Sequence, residues 1–262
     1  MMRGLWTGAT GMSCQQTQID VIANNLANVN TNGFKKSRIN FQDLMYQNLR
    51  TAGAATASGG QLPSGIQIGM GAKVVAVEKI FLQGDFSHTK NSLDMAIEGR
   101  GFFKLLSNDD NIEVYTRSGA FKLNKDGYVS DSDGNRLQPE FAIPAKTVSI
   151  TVASGGKLVA SGPDGAELGS VQMQLFDFAN SAGLRSIGRN LLIPSEASGD
   201  AVQGNPGTDQ FGTILQGYLE MSNVDVVGEM INMIMAQRAY EIGTKIIQAG
   251  DEMLQMTNNL KR

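Results

Sequence analysis

The chain has 262 residues, a formal net charge of -3 and 18% Asp, Glu, Lys and Arg, against about 25% in ordinary soluble domains. That balance provides no basic field for nucleic acid or an anionic membrane. The single cysteine, Cys14, excludes an intramolecular disulfide or a cysteine metal cluster.

With 31 glycines, the composition suits a turn-rich β protein or one that buries its surface against copies of itself, and does not choose between them. At the start, Met1-Met2-Arg3-Gly4-Leu5-Trp6 is followed by Thr7, Gly8, Thr10 and Gly11 rather than by an apolar run. It therefore reads as neither a secretory signal nor a membrane span, which by itself argues for the cytoplasm.

Leu5, Ala9, Met12, Gln16, Ile19, Ala23 and Leu26 follow one another at steps of 4, 3, 4, 3, 4 and 3, a heptad seam on a first helix. Gly8 and Gly11 each cost that helix about 1 kcal/mol relative to Ala. Asp20 is its one charge between Leu5 and Asn32, so it needs cover on several sides. Asn30-Thr31-Asn32-Gly33 should end it, because Asn and Gly tolerate left-handed backbone.

Residues 34–50 are mixed in pattern. Residues 51–60 read TAGAATASGG, with no side chain to anchor a core, and predict a linker or loop tip. Ile66-Gln67-Ile68 and residues 73–80 (KVVAVEKI) predict strands. From 81 to 195, short apolar runs alternate with turn signals such as Asp126-Gly127, Asp133-Gly134 and Asp164-Gly165, which predicts an antiparallel β sandwich or partial barrel. Residues 198–212 are again polar and glycine-rich.

The last stretch, residues 222–260, has the strongest period. Val224, Val227, Ile231, Met235, Ala239, Ile242, Ile246, Ala249, Met253, Met256 and Leu260 step by 3, 4, 4, 4, 3, 4, 3, 4, 3 and 4, with no proline. Continuous helix there would run roughly 58 Å at about 1.5 Å per residue. The two terminal seams could close on each other, parallel or antiparallel, or pack against the same helices in neighbouring molecules. The methionines at 221, 230, 233, 235, 253 and 256 suit either an irregular core or a surface that fits slightly non-equivalent neighbours.

Catalytic chemistry has little to stand on. The one histidine, His88, has no serine elbow to serve, and reads as a surface or ladder residue. Gly69-Met70-Gly71 and Gly99-Arg100-Gly101 lack the third glycine of a dinucleotide loop and read as tight turns or bulges. Asp109-Asp110 and Asp131-Ser132-Asp133-Gly134 lack the remaining ligands of a calcium loop. No enzyme, cofactor, metal, nucleic acid or small-molecule substrate is expected.

Four motifs in order carry a resemblance. Residues 23–35 (ANNLANVNTNGFK), with Asn24, Asn25, Leu26, Asn28, Thr31, Gly33 and Phe34, resemble the N-terminal signature of the bacterial flagellar rod and hook axial proteins. Residues 98–103 (EGRGFF) and 115–121 (YTRSGAF) are similar to that family's central motifs. Residues 236–242 (AQRAYEI), with Gln237, Arg238 and Tyr240, resemble its C-terminal signature. Within the family, chain length and the segment 46–65 are similar to the distal-rod branch rather than to hook subunits. Another rod or hook-type axial subunit is the alternative inside the family, and a monomeric cell-wall-binding β domain the alternative outside it.

The resemblance implies an α+β fold. Residues 1–33 with 218–262 would pair as a coiled-coil-like inner-tube domain, residues 34–80 with 196–217 would form an extended connecting arm, and 81–195 an outer β-rich domain. It implies that the two helix seams are assembly surfaces and that the partners are further copies of the chain, proximal rod subunits, hook protein and surrounding ring proteins. It also implies passage through the flagellar type III export apparatus without a cleaved signal. That would reverse the cytoplasmic expectation, placing the chain in the periplasm-spanning rod.

Overall fold

The computed structural model describes residues 2–53, 63–107, 112–208 and 210–259. Two long α-helices, α1 (Met2–Ala27) and α2 (Val226–Asn259), flank a region of short strands, so the fold is α+β. The chain divides into two compact units. One comprises Met1–Leu26, Ser37–Glu78 and Asp225–Arg262; the other comprises Ala27–Lys36 and Lys79–Val224. No described helix is long and apolar enough to cross a membrane.

In the helical unit, α2 starts at Val226 because Asp225 caps it: its Oδ1 accepts the Val227 amide hydrogen at 3.2 Å, satisfying one of the orphan donors of the first turn. The predicted helix began four residues earlier, at Ser222. The strand Ser37–Asp43 pairs with Ala72–Lys79, and Tyr46–Arg50 pairs antiparallel with Ile66–Gly69. Most of the TAGAATASGG stretch, Leu62 and the seam residue Leu260 lie outside the described residues.

Contacts between the helices run antiparallel, an orientation the sequence left open. A methyl group added at Gly250 would come within 2.6 Å of Leu5 Cδ2, and one at Gly243 within 2.6 Å of Met12 Cγ. One at Gly8 would meet Ile247 Cγ1 at 3.4 Å. Further along, Asn25 Nδ2 donates to Glu229 Oε2 at 3.3 Å. As α1 advances, its partners on α2 recede. The helix pair thus closes by seating Leu5, Met12 and Ile247 of one helix on Gly250, Gly243 and Gly8 of the other.

The β-rich unit contains a seven-stranded antiparallel sheet. Its order is Arg185–Gly188, Leu191–Ile193, Glu113–Thr116, Phe103–Leu106, Arg136–Leu137, Val129–Ser130 and Lys122–Leu123. A three-stranded sheet, Ser149–Val152, Lys157–Ser161 and Glu167–Gln172, lies in the same unit. Its main core gathers Met95, Ile97, Phe103, Leu105, Phe121, Leu158 and Leu175. A second cluster is aromatic: Tyr115 meets Phe178 edge-on at 4.9 Å and Phe176 at 5.7 Å. Residues 196–217, expected as a returning arm, belong to this unit and supply the strands Val202–Gly204 and Thr213–Gln216. Their short runs (Val202-Gln203-Gly204, Thr213-Ile214-Leu215-Gln216) are hidden among glycine and polar residues, which is why composition read them as loop.

Candidate assembly surface

The apolar seam predicted on α2 is its outward face. Ile231, Met235, Ile242 and Met256 are 53%, 57%, 59% and 58% exposed, and Val227, Ile246, Ala249 and Met253 are exposed as well. Ala239 is half-buried and Val224, which precedes the helix, is buried within the β-rich unit. The buried stripe of α2 is instead Glu229, Ala236 and Gly250, with half-buried Gly243 at the same seven-residue spacing. Hydropathy could not find it, because Gly and Ala contribute almost nothing to an apolar count while allowing the closest approach.

On α1 the same shift occurs. Leu5, Met12, Ile19 and Leu26 are half-buried, but Ala9, Gln16 and Ala23 are exposed, and Cys14, Ile22 and Asn25 are the buried positions. Burial pushes the Cys14 thiol above its ordinary pKa, which keeps it protonated and inert. The helix pair therefore uses part of each predicted seam internally and leaves a long apolar stripe on α2 uncovered. Trp6 on α1 is 60% exposed. A contiguous apolar face of this extent is uncommon on a monomer and marks an interaction surface.

Within the N-terminal signature Asn25, Gly33 and Phe34 are buried, Leu26, Asn28 and Thr31 are half-buried, and Asn24 is exposed. Asn25 exchanges two hydrogen bonds with Ser37: its Nδ2 donates to the Ser37 carbonyl, and its Oδ1 accepts the Ser37 amide hydrogen, each at 2.9 Å. The Thr31 hydroxyl donates to Asn28 Oδ1. Gly33 has φ +71, and a Cβ there would lie 2.6 Å from the Ser118 nitrogen; only glycine fits on both counts. Phe34 is buried, with the Lys79 ammonium 5.8 Å from its ring centre.

Beyond Phe34 lies an arrangement that sequence reasoning missed. Lys35 Nζ donates to Glu220 Oε1 at 2.5 Å and to the Leu82 carbonyl at 2.6 Å. Arg117 Nε donates to the other carboxylate oxygen, Oε2, at 3.0 Å, and its Nη1 donates to the carbonyls of Gly99 and Gly101. Side-chain exposure is 3% for Lys35, 5% for Arg117 and zero for Glu220. Burial lowers the Lys35 pKa, and the Glu220 carboxylate partly offsets that.

Two of the quoted motifs therefore meet at one carboxylate, the N-terminal one through Lys35 and YTRSGAF through Arg117, and the Arg117 guanidinium ties in a third through the Gly99 and Gly101 carbonyls. The only advance signal was charged residues set within apolar runs, as in Tyr218-Leu219-Glu220. Nearby, Asn223 Oδ1 accepts the Lys36 amide hydrogen at 2.8 Å while its Nδ2 donates to the carbonyls of Ile80 and Leu82. This buried ion group is structural, holding the ends of the β-rich unit.

The polar residues of the C-terminal signature face outward, while its Ala236 is buried and Ala239 half-buried. Gln237 and Arg238 are exposed, Arg238 pairing with Glu241 at 3.0 Å, and Tyr240 is 39% exposed. His88 sits in the strand Phe86–His88, with its ring 4.8 Å from that of Tyr218, a ladder position.

Comparison with known proteins decides the family. Residues 5–35 match the model described as Flagella basal body rod protein, 96–160 the Flagellar hook protein FlgE/F/G D1 domain, and 215–260 the Flagellar basal body rod FlgEFG protein C-terminal. The flagellar basal-body rod protein FlgG of Borreliella burgdorferi is 44% identical over 267 residues, covering 100% of both chains. The chain belongs to the flagellar basal-body rod protein family.

Other rod proteins of the family are as similar along their whole length. FlgG of Caulobacter vibrioides is 43% identical over 263 residues, 99% of this chain and all of that protein. FlgG of Bacillus subtilis is 40% identical over 267 residues, with both chains fully covered. The flagellar hook protein FlgE of Borreliella burgdorferi is 43% identical over 140 residues, 53% of this chain but 31% of the hook protein. The likeness to rod proteins spans both terminal helices and the β-rich unit; the likeness to the hook protein is partial.

Proposed function

We propose that this chain is a structural subunit of the distal part of the flagellar basal-body rod, self-assembling through its terminal helices. The observation that carries the reading is the stripe on α2 from Val227 to Met256, which stays exposed inside the subunit although it is the most regular apolar pattern in the chain. Full-length likeness to proteins named as basal-body rod proteins supports it.

In this reading, α1 and α2 of each copy form a stave of the inner tube, closed by coiled-coil-like packing with neighbouring staves. Weak contacts repeated over many identical neighbours yield a stiff shaft that transmits torque from motor to hook. Proximal rod subunits and hook protein adjoin it at its ends, ring proteins surround it, and the type III export apparatus delivers it uncleaved. The test is sedimentation of the purified chain against concentration, with electron microscopy of the pellet. Tubular filaments above a critical concentration are expected; a chain monomeric at all concentrations refutes the reading.

A further inference from the structure

The helical unit contains two apolar features that do not meet each other. The first is a groove of about 530 Å³ lined by Gly4, Gly8 and Gly11 from α1 and Gly243 from α2; Gly8 and Gly243 are covered by Ile247 and Met12 of the same subunit, while Gly4 and Gly11 stay open. Ile242 and Ile246 line it, and Arg3 is the one charged residue on its wall among the described residues. The second is the end of α2. Gly250 against Leu5 is the last glycine contact between the helices, and every residue from Asp251 to Asn259 is exposed. Those turns carry Met253, Leu254 and Met256, with Asp251 and Glu252 as their charges.

We propose that the last turns of α2 in one copy seat in the glycine-lined groove of a second copy. This deepens the rod-subunit reading and rests on it. The dimensions agree: nine helical residues span roughly 13 Å, and Gly4 to Gly11 spans roughly 11 Å, at about 1.5 Å per residue. So do the charges, because the acidic pair at the start of the projecting turns finds Arg3 on a wall with no carboxylate among the described residues. The open Gly4 and Gly11 let methionine side chains lie directly on backbone, and methionine adapts to slightly different neighbours.

Donor and acceptor are different surfaces of one chain, so the contact is heterologous: after pairing, the donor copy keeps its groove free and the acceptor copy keeps its helix end free. Such contacts do not close into dimers; they propagate into rings or, where the rotation does not close, into open helical arrays. This accounts for polymerisation from a single kind of subunit.

The glycines supply the test. A methyl group at Gly4 or Gly11 meets nothing within 4 Å inside the subunit, so Gly11→Leu leaves the monomer folded while filling the groove. We expect it to raise the critical concentration for assembly by about tenfold or more, with the monomer's thermal midpoint unchanged or higher. Met253→Asp with Met256→Asp has the same effect from the donor side.

Mixed together, the groove-blocked and end-blocked chains retain one good groove and one good helix end, and form a 1:1 dimer that grows no further. In addition, Arg3→Glu and Glu252→Arg each weaken assembly, and together they restore it. Unimpaired assembly of Gly11→Leu in a chain whose wild type polymerises overturns this inference alone. A Gly11→Leu monomer that loses its helical unit overturns it too, since the groove would then be filled within the subunit. A wild-type chain that never assembles overturns it along with the rod-subunit reading.

Discussion

Lys35 lies 2.5 Å from Glu220, 185 residues further along the chain, and neither side chain reaches solvent. Arg117 occupies the other oxygen of the same carboxylate. One buried anion therefore serves two buried cations, and the three groups are not equivalent. Removing Glu220 leaves two like charges uncompensated in a low-dielectric site; removing Lys35 leaves a matched Arg117–Glu220 pair.

The asymmetry gives an ordering. Glu220→Gln should cost the β-rich unit about 3–5 kcal/mol, the usual penalty for stranding a buried charge. Lys35→Met should cost about 1–3 kcal/mol, chiefly for the charge-assisted bond to Glu220 that it removes, since the Leu82 carbonyl keeps its bond from Asn223. Urea unfolding followed by near-ultraviolet circular dichroism, which reports Tyr115, Tyr128 and Tyr218, measures both. Equal losses from the two substitutions would contradict this account of the network.

Tyr115 supplies a pH signature. Burial, assisted by the Glu113 carboxylate, pushes its hydroxyl up to about 12, against about 10 in an unfolded chain. The neutral form is favoured by the fold, so the Tyr115 contribution is complete below about pH 10 and is lost as pH rises through 12. Two pKa units correspond to about 2–3 kcal/mol. Ultraviolet titration of tyrosinate should show one late component near pH 12, absent in Tyr115→Phe. The variant should also lose less stability than wild type across that window. A Tyr115→Phe titration identical to wild type would remove the assignment.

Neighbouring residues on α2 should behave in opposite ways. Ile242 is 59% exposed, so Ile242→Asp is expected to change monomer stability by no more than about 0.5 kcal/mol while blocking assembly by placing a charge in an apolar contact. A side chain at Gly243 collides with Met12, so Gly243→Val should disrupt the helix pair itself. Far-ultraviolet circular dichroism and sedimentation of both variants separate the effects. Loss of helix in Ile242→Asp, or a normal monomer from Gly243→Val, would show that the faces are assigned the wrong way round.

That contrast also marks what the sequence reveals. Period located both terminal helices, because Ile, Val and Met at steps of three and four register in any hydropathy count. The same count left open whether the large side chains face the other helix or neighbouring molecules, whereas the internal contact sets Leu5, Met12 and Ile247 on Gly250, Gly243 and Gly8. A residue without a side chain carries no hydropathy signal, and its role appears only when the backbone it admits is seen. Likewise Lys35, Arg117 and Glu220 stand far apart in sequence, and no local pattern links three isolated charges that a β framework brings together. The turn signals at Asp126-Gly127, Asp133-Gly134 and Asp164-Gly165, by contrast, were local and legible, with each glycine at positive φ.

Gln216 offers the last test, one of how the β-rich unit is joined. Its backbone pairs with Met95 in a two-stranded ladder. Its side chain meanwhile reaches the strand Ser149–Val152, accepting the Val152 amide hydrogen at 3.0 Å and donating to the Ile150 carbonyl at 2.8 Å. Those two groups flank Thr151 on the strand edge away from Lys157–Ser161, so the amide stands in for one residue of a neighbouring strand. A further bond from Nε2 to the Ser92 carbonyl, at 2.7 Å, fixes its orientation. The side chain thereby joins two sheets that are otherwise linked here by the Ile214 amide hydrogen bond to the Ser154 carbonyl, at 3.0 Å. Gln216→Ala would leave three backbone groups without these partners, a loss of about 2–4 kcal/mol where water cannot replace them. Gln216→Glu keeps the acceptor for Val152 but removes both donated bonds and sets a carboxylate against two carbonyls, so it should be at least as damaging. Amide exchange at Val152 distinguishes the two: faster exchange is expected in Gln216→Ala, with more of the protection retained in Gln216→Glu relative to its overall stability. Unchanged protection of Val152 in Gln216→Ala would mean that the strand edge is covered by something other than this side chain.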